Sequence, residues 1–174
     1  RGQVERRYQC PPAERRFRDV MLHTFTDLGR LRTLTSLLRL YQRSGLQRLI
    51  RASGLLSFFG RLGQMEALLP EIADPRLGEL PEITPAKGQR RGRVGLLLGC
   101  VQRFFFAHVN AATVRVLSEN GYEVVVPRDQ GCCGSLCIHE GERERGKMLA
   151  KQTIDVFERV GVYLIAVNAA GCGS

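Results

Sequence analysis

The sequence lacks any long apolar stretch. No run of about 18 or more apolar residues occurs among its 174 residues, so we expect no transmembrane helix. The first residues, 1–4, contain neither an initiating methionine nor a signal-peptide pattern, and the last two residues directly follow a cysteine. These ends predict a fragment of a longer protein. The expected location is the cytoplasm, with peripheral contact at the inner face of the cell membrane left open.

Motifs for nucleotide cofactors are also missing. The chain has no G-x-G-x-x-G and no P-loop, so it offers no recognisable flavin, nicotinamide or ATP site. Oxidation of a substrate would therefore have to occur on another subunit. The C-x2-C pairs of ordinary zinc sites are absent, and the six cysteines come without a secretory signal. This context favours reduced thiols or metal ligands over a disulfide framework.

Acidic residues are too few to balance the basic ones in the first half of the chain, whereas the second half is balanced. Residues 1–93 hold 18 Lys+Arg and 9 Asp+Glu, whereas residues 94–174 hold 8 of each, so the whole net charge of +9 belongs to the first half. The two halves are therefore expected to have different roles. Solvated helix faces explain the basic residues most simply. A docking surface for an acidic partner or anionic lipid stays open, whereas nucleic acid is not expected because its recognition motifs are lacking.

Periodicity predicts an α/β fold class with a helical N-terminal segment. Residues 1–69 are interpreted as a basic helical connector with breaks near residues 44–45, 53–54 and 60–63, and residues 70–93 as a linker rich in proline and glycine. The remaining residues, 94–174, alternate between short apolar runs and helical patterns. They predict a βαβαβ unit with a parallel sheet, incomplete at the C-terminus.

The boundaries of this α/β unit follow from the same patterns. Strands are expected over residues 94–98, 122–126 and 163–167, and helices over residues 105–119 and 140–160. Apolar periodicity places Val116 on the inward face of the first helix. In the second helix, Ile154 and Phe157 are expected to point inward.

Four cysteines follow these predicted strands, and a glycine adjoins each of the three cysteine points: Cys100, Cys132, Cys133 and Cys172. Because ligands bind at the carboxyl ends of parallel strands, we expect the four thiols to converge. A disulfide within the adjacent pair would be strained, since neighbouring Cα atoms lie about 3.8 Å apart and disulfides prefer about 4.4–6.8 Å. Thiolates are the ordinary ligands of iron–sulfur clusters, and adjacent thiolates can reach different irons.

The constellation therefore predicts an iron–sulfur site. Several alternatives stay open: buried cysteines acting as small hydrophobes, a thiol–disulfide relay, and a zinc-stapled interaction module. A further alternative is that the isolated chain binds nothing because half of its repeat is missing.

Four segments resemble the first cysteine-rich CCG repeat of the glycolate oxidase iron–sulfur subunit family: residues 98–102, 108–117, 130–134 and 168–174. The helical segment resembles the connector of that family. In the family, a ferredoxin-like domain precedes this region and a second repeat follows it, so the resemblance implies a central fragment. It implies that Cys100, Cys132, Cys133 and Cys172 ligate an iron–sulfur cluster of the 4Fe–4S type, with cluster type and ligand count left open.

The resemblance also implies a role without catalytic acids or bases in this chain. A flavin subunit would oxidise glycolate to glyoxylate, and the cluster would pass electrons singly towards a quinone or another acceptor. The same repeat occurs in subunits of heterodisulfide, lactate and glycerol-3-phosphate systems. Electron transfer is therefore implied more firmly than glycolate.

The remaining cysteines and histidines give weaker signals. Cys137 is either a fifth ligand or, more simply, a local feature near the site. His139 fits a supporting role beside the ligands or a surface position. Cys10 is best explained as a lone cysteine, and His23 and His108 as a surface and a structural histidine.

Overall fold

The computed structural model describes residues 11–54, 56, 60–72 and 79–172. Cys10, residues 73–78 of the predicted linker and the final residues 173–174 lie outside the described residues. Within them, no helix combines the length and apolarity needed to cross a membrane.

The N-terminal segment is helical, as predicted. It forms α1 (Pro12–Thr26), α2 (Leu28–Arg43), α3 (Leu46–Ala52) and α4 (Arg61–Ala67). Asp27 separates the first two helices because its carboxylate accepts a hydrogen bond from the Arg30 amide at 3.0 Å and so caps α2. The Glu66 carboxylate on α4 accepts hydrogen bonds from Gln47 at 2.8 Å and Arg51 at 3.0 Å. These contacts hold α4 against α3.

The rest of the chain builds a sheet with helices, which confirms the α/β fold class. The strands are β1 (Ile83–Thr84), β2 (Gly92–Leu97), β3 (Tyr122–Val125) and β4 (Ile165–Val167), in the spatial order β1-β3-β2-β4. The helices are α5 (Gln102–Phe105), α6 (Ala107–Glu119), α7 (Ser135–His139) and α8 (Arg143–Arg159), and a 3-10 turn covers Ala170–Cys172. Strand β2 pairs in parallel with both β3 and β4, so it lies at the centre of the parallel unit.

The segment predicted as a linker contributes to the sheet. Strand β1 pairs antiparallel with β3 through Ile83↔Val125 and Thr84↔Val124. It thereby covers an edge of β3 that would otherwise leave backbone groups unpaired. The sheet is mixed rather than wholly parallel, and β2 already begins at Gly92.

Both helix-face predictions that rested on apolar periodicity were wrong in part. Val116 is 59% exposed and Ile154 is 52% exposed, whereas Phe157 is buried as expected. The inward face of α6 instead contains Asn110 and Ser118. These polar residues are buried because they bind backbone carbonyls: the Ser118 hydroxyl donates to the Pro85 carbonyl at 2.7 Å.

Three apolar groups form the core. One contains Leu96, Val114 and Val124, and joins the sheet to α6. A second contains Leu97, Phe157 and Cys133, and joins the other face of β2 to α8. The third group joins the helical connector to the cysteines.

Candidate metal centre

All four predicted cysteines lie at the carboxyl edge of the parallel strands. Cys100 follows β2, Cys132 and Cys133 lie in the loop after β3, and Cys172 ends the 3-10 turn after β4. Because β2 pairs with β3 on one side and β4 on the other, the three chain segments leave the sheet side by side. The structure therefore brings together residues that are separated by about 30 to 40 positions in the sequence.

The four thiols form a continuous row of contacts, which we call the thiol chain. The Cys132 thiol donates to the Cys100 sulfur at an Sγ–Sγ distance of 3.9 Å. Cys133 interacts with both Cys132 and Cys172 through their thiols. None of the four forms a disulfide. Cys100, Cys132 and Cys133 are buried, and Cys172 is half-buried.

The thiol chain favours thiolate at alternate positions. The hydrogen bond from Cys132 lowers the pKa of Cys100 to about 7, against the opposing effect of burial. Hydrogen bonds from Cys132 and Cys172 hold the pKa of Cys133 well below its usual range. The donors show the opposite shift: the pKa of Cys132 and that of Cys172 are raised because each thiol keeps its proton for a neighbouring thiolate. Hydrogen bonds along the row therefore favour ionisation of Cys100 and Cys133 and oppose that of Cys132 and Cys172.

Gln130 fixes the cysteine loop to β2. Its side chain, 1% exposed, accepts a hydrogen bond from the Leu98 amide at 2.9 Å. It donates to the Pro127 carbonyl at 2.9 Å and to the Leu96 carbonyl at 3.3 Å. The loop carrying Cys132 thus keeps a fixed position beside the segment carrying Cys100. The sequence interpretation used Gln130 only as part of a motif and missed this role.

Asn110 and Asn168 connect the segment that carries Cys100 to the segment that carries Cys172. Asn110, 1% exposed, donates to the Leu98 carbonyl at 3.1 Å, two residues before Cys100. Asn168, four residues before Cys172, donates to the Asn110 side-chain oxygen at 2.8 Å. Sequence analysis missed Asn110 as well. The only signal was its spacing of four residues from Val114 and eight from Ser118, which share its buried face.

A half-buried positive charge lies beside the thiols. The Arg103 guanidinium donates to the Gln130 carbonyl at 3.2 Å, and its Nε atom is buried without a hydrogen-bond partner. Burial lowers the pKa of Arg103, while the charge on Cys100 acts in the opposite direction. Arg103 is therefore close enough to Cys100 to stabilise its thiolate.

The third apolar group encloses the first half of the thiol chain. Leu31 of the connector is buried against Cys100 and Cys132. Partly buried side chains complete this group: Phe25, Leu28, Phe104 and Leu149. The helical connector therefore reaches the cysteine site, a contact that the separate charge balance of the two halves gave no reason to expect.

The other candidate residues lie outside the thiol chain. Cys137 is fully buried on α7, and burial raises its pKa. Its C-x3-C spacing from Cys133 is one that zinc sites also use, yet among the described residues no thiol of the row forms a hydrogen bond with Cys137. His139 and His108 are exposed. His23 is exposed on α1 and lies 3.4 Å from an Arg145 nitrogen.

The donor set is one that iron–sulfur clusters use. Four thiols, without a carboxylate between them, are the donors that iron–sulfur clusters use. Within the part of the chain that the structure describes, no group of three or more His, Cys, Asp or Glu side chains is arranged to hold one metal ion. The four thiols at this sheet edge are the residues that would hold an iron–sulfur cluster if one binds here.

Comparison with known proteins gives two family matches. Residues 13–69 match the model for the linker region of the glycolate oxidase iron–sulfur subunit, and residues 94–174 match the model for the cysteine-rich domain. No solved structure matches.

Curated relatives carry related names. The chain is 40% identical over 114 residues to the probable glycolate oxidase iron–sulfur subunit of Bacillus subtilis, a match that covers 65% of this chain and 26% of the relative. It is 35% identical over 89 residues to the glycolate oxidase iron–sulfur subunit of Escherichia coli, covering 49% and 22%. It is 34% identical over 79 residues to lactate utilization protein A of an Exiguobacterium, covering 45% and 32%. The chain thus spans about a quarter to a third of these relatives.

Proposed function

Because the chain belongs to the family of glycolate oxidase-type iron–sulfur subunits with a cysteine-rich domain, we propose that it is an electron-transfer fragment of such a subunit. Its cofactor is an iron–sulfur cluster, with Cys100, Cys132, Cys133 and Cys172 as the ligands. The observation that carries this proposal is the thiol chain itself, with four cysteines, none in a disulfide, in contact at one sheet edge.

The proposed division of labour keeps substrate chemistry elsewhere. A flavin subunit oxidises glycolate to glyoxylate, and this chain relays the electrons towards a quinone or another acceptor. The absence of a nucleotide-cofactor motif in this sequence supports that division. A lactate system is the nearest alternative substrate class, supported by the lactate utilization relative. Residues 1–69, 70–93 and 94–174 are proposed to act as connector, linker and cysteine-rich domain.

The residues of this chain have distinct parts in that role. When bound, the cluster supplies a centre that accepts and releases single electrons. The thiol chain provides four sulfur donors, of which Cys100 and Cys133 ionise most readily. Gln130 and Asn110 fix the segments that carry the donors. Arg103 supplies a positive charge that offsets part of the charge on sulfur.

Anaerobic reconstitution with iron and sulfide tests this proposal. We expect the wild-type chain to become brown, with broad visible absorption and bound iron and acid-labile sulfide. Cys132→Ala should abolish loading while its far-UV circular dichroism shows that the helical connector stays folded. Cys137→Ala is the matched control, since it removes a buried thiol outside the thiol chain and should load normally.

Several outcomes would contradict the proposal. A Cys132→Ala protein that loads a redox-active cluster would refute the ligand assignment. A colourless wild-type protein that binds zinc stoichiometrically would favour the zinc-stapled module instead. Loss of loading in Cys137→Ala would add that residue to the ligand set.

A further inference from the structure

We propose that the connector forms one wall of the cysteine site, made by Phe25, Leu28 and Leu31, and that this wall keeps water and solutes away from Cys100 and Cys132. The identity of the enclosed metal group rests on the proposed function. The wall itself is a property of the metal-free protein. The connector would then be a working part of the site rather than a spacer between domains.

Burial along α2 carries the first part of the argument. Leu31 is 0% exposed, whereas Leu37 on the same helix is 61% exposed. Helix α2 therefore buries only a narrow stripe, and the stripe meets the cysteines. Leu31 packs in one buried apolar group with Cys100 and Cys132, which are only 7% and 2% exposed although they lie at the edge of the sheet. The connector supplies part of that burial.

A polar contact holds the connector in place. Arg145 on α8 donates to the Thr26 hydroxyl at 2.7 Å, at the C-terminal end of α1. One turn later on α8, Leu149 packs into the same apolar group as Leu31. Helix α8 thus carries both the polar contact that anchors the connector and one of the apolar side chains that the connector covers.

The consequence for the site is a low local dielectric around part of the thiol chain. Charge on sulfur interacts more strongly with neighbouring groups when water is excluded, and solvent exposure is one of the determinants of a cluster's reduction potential. An opening in the wall would admit water, alkylating agents and chelators to Cys100 and Cys132. These thiols should respond more than a buried cysteine outside the wall.

Thiol alkylation of the metal-free protein tests the wall without requiring a cluster. The reduced 174-residue chain is treated anaerobically with N-ethylmaleimide, and each cysteine is quantified by peptide mass spectrometry. In Leu31→Ala, we expect Cys132 to react at least about tenfold faster, which corresponds to about 1.4 kcal/mol in the opening equilibrium. Leu37→Ala, the same change at an exposed position of α2, should match the wild type. Cys137 serves as the internal reference for global unfolding.

A second variant keeps the test decisive if Leu31→Ala unfolds. Thr26→Val removes the hydroxyl that accepts from Arg145 while conserving shape, and should accelerate labelling of Cys132 several-fold. Its control is Thr33→Val, since the exposed Thr33 hydroxyl bonds only within α2. Wild-type labelling rates in both Leu31→Ala and Thr26→Val would overturn the inference.

The loaded protein separates this inference from the proposed function. If the wild type takes up a cluster, Leu31→Ala should lose its visible absorption several-fold faster in the presence of a chelator. If the wild type takes up none, the proposed function fails, yet the labelling rates still decide whether the wall exists.

Discussion

The two glycines that flank the cysteine pair should respond very differently to the same substitution. Gly131 and Gly134 bracket Cys132 and Cys133 symmetrically in the sequence. In the structure, Gly134 has a φ of 84°, a left-handed conformation that favours glycine. Gly131 does not have a positive φ.

Space around the two positions differs as well. A Cβ on Gly134 would lie 3.1 Å from the carbonyl carbon and the α-carbon of Gly146, and nearer still to its oxygen. These are backbone atoms of α8 and cannot rotate away. A Cβ on Gly131 would meet no heavy atom within 4 Å. At Gly134 the cysteine loop and α8 therefore approach too closely to leave room for a side chain.

The expected loss of stability in Gly134→Ala combines backbone strain with overpacking. A left-handed conformation costs a residue with a side chain about 1–2 kcal/mol, and overpacking adds about 1–3 kcal/mol. Gly134→Ala should thus reduce the free energy of unfolding by about 2–5 kcal/mol, a large part of the roughly 5–15 kcal/mol typical of a domain. Gly131→Ala should be neutral or stabilise by up to about 1 kcal/mol, because it restricts the unfolded chain.

Urea and thermal unfolding of the reduced, metal-free proteins measure this difference. At about 2–4 °C per kcal/mol, a difference of about 3 kcal/mol separates the two melting temperatures by about 6–12 °C. Circular dichroism is used to follow unfolding, because the sequence contains no tryptophan whose fluorescence could report it. Equal melting temperatures, or a larger loss in Gly131→Ala, would refute the reasoning about the loop.

Two further predictions concern polar residues beside the thiols. Arg103→Gln should raise the pKa of Cys100 above about 7, because it removes a positive charge that favours the thiolate. The pH profile of Cys100 alkylation should then move to higher pH, whereas Arg103→Lys should retain the wild-type profile. An unmoved profile in Arg103→Gln would contradict the charge effect. Asn110→Ala should cost about 2–3 kcal/mol in urea unfolding because it leaves the Leu98 carbonyl buried without its hydrogen-bond partner. The control Asn120→Ala removes an exposed hydrogen bond on the same stretch of chain and should cost less than about 1 kcal/mol; equal losses would count against the buried network.

The helix faces show where local pattern was insufficient. Apolar periodicity placed Ile154 and Val116 inward, yet both are more than half exposed. Asn110 lies on the inward face of α6, where its side chain donates to the Leu98 carbonyl just after the end of β2. Apolar periodicity describes one helix alone, so it cannot indicate that a backbone carbonyl in a neighbouring segment needs a hydrogen-bond donor.

The sequence by itself determined the α/β class and the common edge of the four cysteines. Apolar runs and helical periodicity are local properties, and parallel strands with crossover helices leave their carboxyl ends together whatever the details of packing. Only the tertiary structure decided which glycine is indispensable, which polar residues are buried, and that Leu31 covers Cys132. Those outcomes depend on contacts between residues up to about a hundred positions apart, and such contacts are set by how whole elements pack.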